Sequence, residues 1–308
     1  MCTVETTQPP IPAEVHQLLA AQQAGKLTRR DFVEQAGALL FRSLKPEAVY
    51  RDNRFNAPDA PIMTPPLMLA ATPTTPLATK GGMVTIQTSH APIPGYLAQP
   101  EAAGSYPGVV VIQEWWGLDD HIKSVADYFA RSGFVALAPD LYHGEIAREP
   151  DEARKLAMGL IADQANADVQ GAADYLVSLD NVQPKKVGTV GFCMGGGISM
   201  RMSWAGGSNI GAVVIFYGRG NPTDDEIKAI HAPVLGIFGE QDAGIPISGV
   251  REWEAKLKAN GKTVEIVTYP DAGHAFVNDT RPAYRPEAAE DALQRTVKWF
   301  MKYLKISS

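Results

Sequence analysis

A chain of 308 residues, 45% hydrophobic and 20% charged, holds enough apolar material for one large α/β domain, or for an ordinary domain with an appendage. The formal charge is -6 and no basic stretch is dense enough to track phosphates, so nucleic acid is not an expected partner. No apolar segment approaches the ~20 residues that span a bilayer, and two cysteines, Cys2 and Cys193, cannot build a disulfide framework.

The first eighty residues differ from the rest. "PAEVHQLLAAQQAGK" reads as a short helix with Gly25 near its end. "TRRDFVEQAGALLFRSL" reads as a second helix, with Thr28 as N-cap and Asp31 in the first turn, where negative charge is favoured. Phe32, Ala36, Leu39 and Leu40 fall on one face at helical spacing. Six prolines between Pro58 and Pro76 then suggest a tether with little regular structure. Residues 1–80 are therefore expected to form a helical N-terminal arm and Pro-rich tether, and 81–308 the main domain. "TRRDF" resembles a twin-arginine export motif, but Glu34 interrupts the apolar stretch and the charged "RSLKPEAVYRDNR" follows at once. The expectation is a retained arm on a cytoplasmic protein, with periplasmic export as the alternative. Such an arm could pack across a second copy and make a homo-oligomer.

From Gly81 the pattern changes. "MVTIQT" and "IPGYLAQP" read as an antiparallel hairpin, and "GVVVIQEW" as a strand buried on both faces. "DDHIKSVADYFARSG" is an amphipathic helix ending at Gly133, and "FVALAPDLY" the next buried strand. "PDEARKLAMGLIADQANADVQGAADYLVSL" supplies helix in two pieces. "KVGTVGF" is a strand and "GGGISMRMSWAG" a helix. "IGAVVIFYG", "APVLGIFGEQD" and "TVEIVTYPDAGH" are strands; "SGVREWEAKLKANG" and "EAAEDALQRTVKWFMKYL" are amphipathic helices. Strands alternating with helices imply a mostly parallel central sheet with helices on both faces.

In such sheets ligands bind outside the carboxyl ends of the strands. The residues there are Glu114, Cys193, Asp242 and His274. Gly191-Phe192-Cys193-Met194-Gly195 has the spacing of a nucleophile elbow, with Cys where Ser is usual. Small residues two before and two after are needed because strand and helix nearly touch, and the turn aims backbone N–H groups at the reacting centre. The helix N-terminus is expected to favour thiolate over thiol. The order Cys193, Asp242, His274 is the nucleophile–acid–base order of α/β-hydrolases, with His274 as base and Asp242 fixing its tautomer. His16 and His121 lie on or near amphipathic helices, His90 in the hairpin and His231 before a strand. His143 follows "APDLY" and could line a pocket, but it is misplaced for a base. Taken singly, a cysteine is usually a small buried hydrophobe and a histidine usually structural; the argument rests on their order and their strand-end positions together. No histidine and carboxylate set has metal-ligand spacing, so neither metal nor cofactor is expected.

"GFCMGG", "GEQDAGIP", "AGHAF" and "QEWWGL", in that set, resemble the dienelactone hydrolase (carboxymethylenebutenolidase-like) family of the α/β-hydrolase superfamily, from about Gly81 to the C-terminus. The resemblance implies an α/β-hydrolase fold, with Cys193 as nucleophile, Asp242 as acid and His274 as base. It implies that Glu114 contacts the resting thiol and helps ionise it, and that the backbone N–H groups of Met194 and Trp115 form the oxyanion hole. Glu114 read without the family is a buried carboxylate satisfied by donors. Typical members carry an arginine four residues after the histidine; here that residue is Asn278, with Arg281 close by. Trp115, Trp116, Tyr142, Tyr217 and Phe276 are expected to make the mouth aromatic, the last four contacting substrate, although core packing is the commoner role of any one aromatic.

The expected activity is hydrolysis of a small carboxylic ester or (enol) lactone through a thioester acyl-enzyme, on a substrate less anionic than a dienelactone. The alternative is a ligand-binding or redox-sensing protein in which Cys193 is oxidised; an intact acid–base pair argues against it.

Overall fold

The computed structural model describes residues 76–304, together with Ala21 and Lys26. The expected arm and tether otherwise lie outside the described residues. Ala21 is helical and its carbonyl accepts from the Lys26 N–H at 2.9 Å, a bond typical of a helix end.

The main domain contains one eight-stranded sheet. Its strands are β1 (Thr79–Ile86), β2 (Ile93–Pro100), β3 (Tyr106–Ile112), β4 (Val135–Pro139), β5 (Val182–Phe192), β6 (Ile210–Phe216), β7 (Val234–Gly239) and β8 (Val264–Tyr269). Their order is β1-β2-β4-β3-β5-β6-β7-β8. The hairpin β1–β2 and the pair β2–β4 are antiparallel, and all later pairs are parallel. The sheet is thus the mostly parallel one expected, and its first strand begins at Thr79, two residues before Gly81.

The apolar runs become central strands because both their faces are covered. Val109 to Ile112 and Val135 to Ala138 expose nothing, and neither do Val213 to Phe216. The crossovers are helical: α1 (Asp120–Arg131), α2 (Pro150–Gly159), α3 (Ala162–Ser178), α4 (Met194–Ala205), α5 (Asp224–Ala229) and α6 (Ile247–Ala259), with α7 (Pro286–Tyr303) closing the chain. The segment expected to be helix in two pieces is α2 and α3. Helix α5 was not anticipated, although Thr223 and Glu226 form a full capping box at its start. Asp119 caps α1 by accepting from the Ile122 N–H at 3.0 Å.

From β3 the chain crosses outward to β4 on one side, then returns to β5 and runs outward through β6, β7 and β8 on the other. The gap between the carboxyl ends of β3 and β5 is a topological switch point, where open α/β sheets bind ligands. Below it, Thr189 of β5 and Ser199 of α4 share a hydrogen bond of 2.9 Å, and Ser199 donates to the Val214 carbonyl of β6 at 2.9 Å. This buried chain fixes α4 against two strands at once. Gly191 and Gly195 allow the close approach. A methyl group on Gly195 would fall on the carbonyl oxygens of Ile112 and Gln113, and one on Gly191 would fall on the Gly195 carbonyl.

Backbone cannot yield as a flexible side chain can. Gly195→Ala is therefore expected to lower stability by about 3 kcal/mol in urea unfolding. Gly82→Ala, where an added methyl meets nothing within 4 Å, should change it by less than about 0.5 kcal/mol.

Candidate active site

Five neighbouring parallel strands end in polar groups. In spatial order these are Glu114 after β3, Cys193 after β5, Tyr217 after β6, Asp242 after β7 and His274 after β8. Cys193 is the residue before α4 and has φ 54° and ψ -113°, outside the usual regions for a non-glycine residue. Its N–H donates to the Phe216 carbonyl at 3.1 Å and its carbonyl accepts from the Gly197 N–H at 3.2 Å. Tyr217 (φ 37°) and Ala275 (φ 59°) are also left-handed, so three of the four non-glycine residues with positive φ in 76–304 stand at or beside this edge.

Asp242 and His274 meet. The imidazole Nδ1 lies 2.6 Å from Asp242 Oδ2, and the other carboxylate oxygen accepts from the Gly244 N–H at 2.9 Å. Asp242 is buried, whereas the imidazole keeps 40% of its surface open. Cys193 is of intermediate burial as a residue, and its sulfur makes no hydrogen bond to His274 in this conformation. The Met194 N–H at the start of α4 points at the sulfur and favours its ionised form. Burial of the thiol and the negative charge of Glu114 outweigh that effect, and push its pKa up to about 12. The expected thiolate is thus corrected: the resting group is a thiol, because burial and a carboxylate override one helix terminus.

Glu114 is 2% exposed. The Tyr217 hydroxyl donates to Oε1 at 3.3 Å and the Asn278 amide to Oε2 at 2.6 Å. Burial raises its pKa, while the charge of His121 and the Asn278 bond oppose the rise. Asn278 is itself held, its Oδ1 accepting from the Thr280 N–H at 3.0 Å and hydroxyl at 2.6 Å. Trp115 follows Glu114, and the Tyr142 hydroxyl is 3.2 Å from the Trp115 carbonyl and 3.3 Å from Met194 Sδ. The Tyr142 hydroxyl thus bridges the Trp115 carbonyl and the Met194 side chain.

The aromatic residues divide. Trp115 is partly exposed and packs edge-on to Trp116 at 5.1 Å. Trp116 and Tyr142 show only small edges to solvent. Tyr217 and Phe276 were expected to touch substrate, but both are wholly buried. Tyr217 packs against the His274 ring at 5.1 Å and against Phe276 at 5.6 Å, so this pair backs the site and does not line its mouth. Arg281 lies 3.7 Å above the Trp116 ring.

Sequence reasoning set His121 aside and passed over Arg219. The Arg219 guanidinium donates to the Gly244 carbonyl at 2.5 Å, joining the segment after β6 to the Asp242 loop, and its charge helps to lower the thiol pKa. A groove of about 470 Å³ runs from Met194 and Gly197 past Arg201 and Arg219 to Trp204. Among the described residues no cluster of three or more His, Cys, Asp or Glu could hold a metal ion. No described helix is long and apolar enough to cross a membrane.

The profile of the dienelactone hydrolase family matches residues 93–304. "Protein usf" of Aquifex pyrophilus is 38% identical over 231 residues, covering 73% of this chain and 99% of that protein. A Methylorubrum extorquens protein named "Putative carboxymethylenebutenolidase" is 34% identical over 244 residues, covering 72% of this chain and 81% of its own length. Among solved structures, the "Putative Dienelactone Hydrolase" of Klebsiella pneumoniae superposes with a TM-score of 0.67 at 32% identity, over 73% of this chain and all of that one. With its sheet order, its cysteine elbow and these relatives in agreement, the chain belongs to the dienelactone hydrolase family, carboxylic-ester hydrolases built on the α/β-hydrolase fold.

Proposed function

We propose that this hydrolase cleaves a small carboxylic ester or enol lactone through Cys193, His274 and Asp242, by way of a thioester acyl-enzyme. The observation that carries the reading is the 2.6 Å bond between His274 and a buried Asp242, on the same sheet edge as a strained, partly exposed Cys193. Asp242 accepts from Nδ1–H and leaves Nε2 as the basic nitrogen.

In the first half-reaction the thiol loses its proton to His274, directly or through Glu114, and sulfur forms a bond to the carbonyl carbon. The carbonyl π pair moves onto oxygen, where the N–H groups of Met194 and Trp115 receive it. As the oxyanion collapses, the C–O bond to the leaving group breaks and His274 returns the proton to that oxygen. In a lactone the leaving oxygen stays tethered to the acyl chain. In the second half-reaction water gives a proton to His274 and its oxygen attacks the thioester carbonyl. Sulfur leaves and recovers the proton.

The protonated resting thiol fits a nucleophile that is ionised only when substrate arrives. Arriving substrate adds to the exclusion of water and brings a polar group towards Glu114, which is then free to take the thiol proton. Asn278 offers a neutral amide, already committed to Glu114, so a strongly anionic substrate lacks a cation at that position. An uncharged ester or lactone suits the site better.

Cys193→Ala should reduce hydrolysis of p-nitrophenyl acetate and of a simple enol lactone to background; undiminished turnover would exclude the cysteine mechanism. Glu114→Gln should slow single-turnover acylation by ~10²-fold while leaving KM within about twofold. In a Cys2→Ser background, iodoacetamide alkylation of Cys193 should rise about tenfold per pH unit from neutral to about pH 10 with no plateau, because the thiol pKa is near 12. A plateau near neutral pH would indicate a resting thiolate.

A further inference from the structure

Helix α4 is buried except along one stripe. From Cys193 to Trp204 the partly exposed residues are Cys193, Met194, Gly197, Arg201 and Trp204, and the others are buried. Cys193, Gly197 and Arg201 recur at four-residue spacing, so they form one row along the helix. The groove of about 470 Å³ follows this row from Met194 to Trp204, with Leu160 of the α2–α3 joint and Arg219 of the segment after β6 as further walls. An open track thus begins beside the nucleophile and passes Arg201, eight residues on, or about 12 Å along the helix axis.

Gly197 keeps the track clear. A methyl group there would meet the Arg219 carbonyl oxygen at 2.7 Å, and this close approach of two backbones sets Arg219 beside the middle of the row. Arg201 has no hydrogen-bond partner among the described residues, and its Nε is buried. A guanidinium only donates, so a buried donor of this kind calls for an acceptor. Arg219 uses one N–H on the Gly244 carbonyl and has no acid partner among the described residues. Glu226 is the acid on this groove, close enough to feel the charge of Arg201. Its Oε2 already accepts from the Thr223 N–H at 2.7 Å and hydroxyl at 3.0 Å. Two cations therefore face one carboxylate that is engaged in capping α5.

We propose that this groove takes the acyl chain of the substrate, and that Arg201, with Arg219, binds a carboxylate at the far end of that chain. The planar fork of a guanidinium matches a carboxylate in shape as well as charge. The substrate class is then a monoester of a medium-length linear dicarboxylic acid. It is uncharged beside Glu114 and Asn278 and anionic only at the remote terminus. The acyl chain is the part a groove starting at Cys193 serves, because it stays on sulfur from one half-reaction to the next while the leaving group departs. The assignment rests on the ester hydrolysis proposed above.

The test is isothermal titration calorimetry of Cys193→Ala with 8-oxononanoate, a ketone that cannot be hydrolysed, and with its neutral amide. The acid should bind about tenfold more tightly than the amide, or better. The shorter 4-oxopentanoate does not reach Arg201 and should gain nothing over its own amide. Arg201→Gln in the same background should cut the advantage of the long acid to about twofold or less. Equal affinities for the long pair, an advantage undiminished by Arg201→Gln, or the same advantage for the short acid each overturn the proposal. If Arg201→Gln does not fold, Arg219→Gln decides: the long acid should lose about threefold or more of its advantage, and no loss overturns the proposal. No ligand in this experiment is turned over, so hydrolysis of p-nitrophenyl acetate by Cys193→Ala would remove the cysteine mechanism without touching these affinities.

Discussion

The close approach of two backbones at the end of β5 constrains everything above it. Gly191 and Gly195 let α4 start almost in contact with the ends of β3 and β5. That contact forces Cys193 into a backbone conformation costing ~1–3 kcal/mol. The surrounding structure can sustain the strain because it is over-determined. The Cys193 amide is tied to β6, its carbonyl to the first turn of α4, and α4 to β5 and β6 through Thr189 and Ser199. Rigid strands then anchor the short loops that carry side chains from remote segments to one edge.

Above that edge, burial and charge compete. Glu114 is buried with two neutral donors, and its charge helps to keep the adjacent thiol protonated. Asp242 is equally buried, yet its partner His274 is half open to solvent. The site therefore pairs one shielded carboxylate that restrains the sulfur with another that orients a ring at the surface. On the proposed mechanism, the first keeps the enzyme inert towards chance electrophiles and the second is ready for turnover.

Much of this was legible in the sequence because it depends on local pattern. Apolar runs such as "GVVVIQ" announce buried parallel strands, and the glycines around Cys193 announce the elbow. The chain order of Cys193, Asp242 and His274 is meaningful once strand ends are known. The missing parts are tertiary. An aromatic after a strand reads the same whether it stays partly exposed, as Trp115 does, or is buried in the core, as Tyr217 and Phe276 are. The helix terminus that favours a thiolate is visible in the sequence; the burial and the Glu114 charge that defeat it are not. His121 looks like any first-turn residue of an amphipathic helix, since its partner Asp279 lies 158 positions away. The capping box at Thr223 was an exception, a local signal present in "TDDE" and overlooked.

The segment after β8 carries an arithmetic of its own. Within eight residues it supplies His274, the Asn278 that holds Glu114, the Asp279 that holds His121 and the Arg281 that covers Trp116. Sliding it forward by one position would present Asp279 to Glu114, replacing a donor with a second acid. Over evolutionary time this stretch should drift in composition more readily than in length, since an insertion or deletion there disturbs several attachments together.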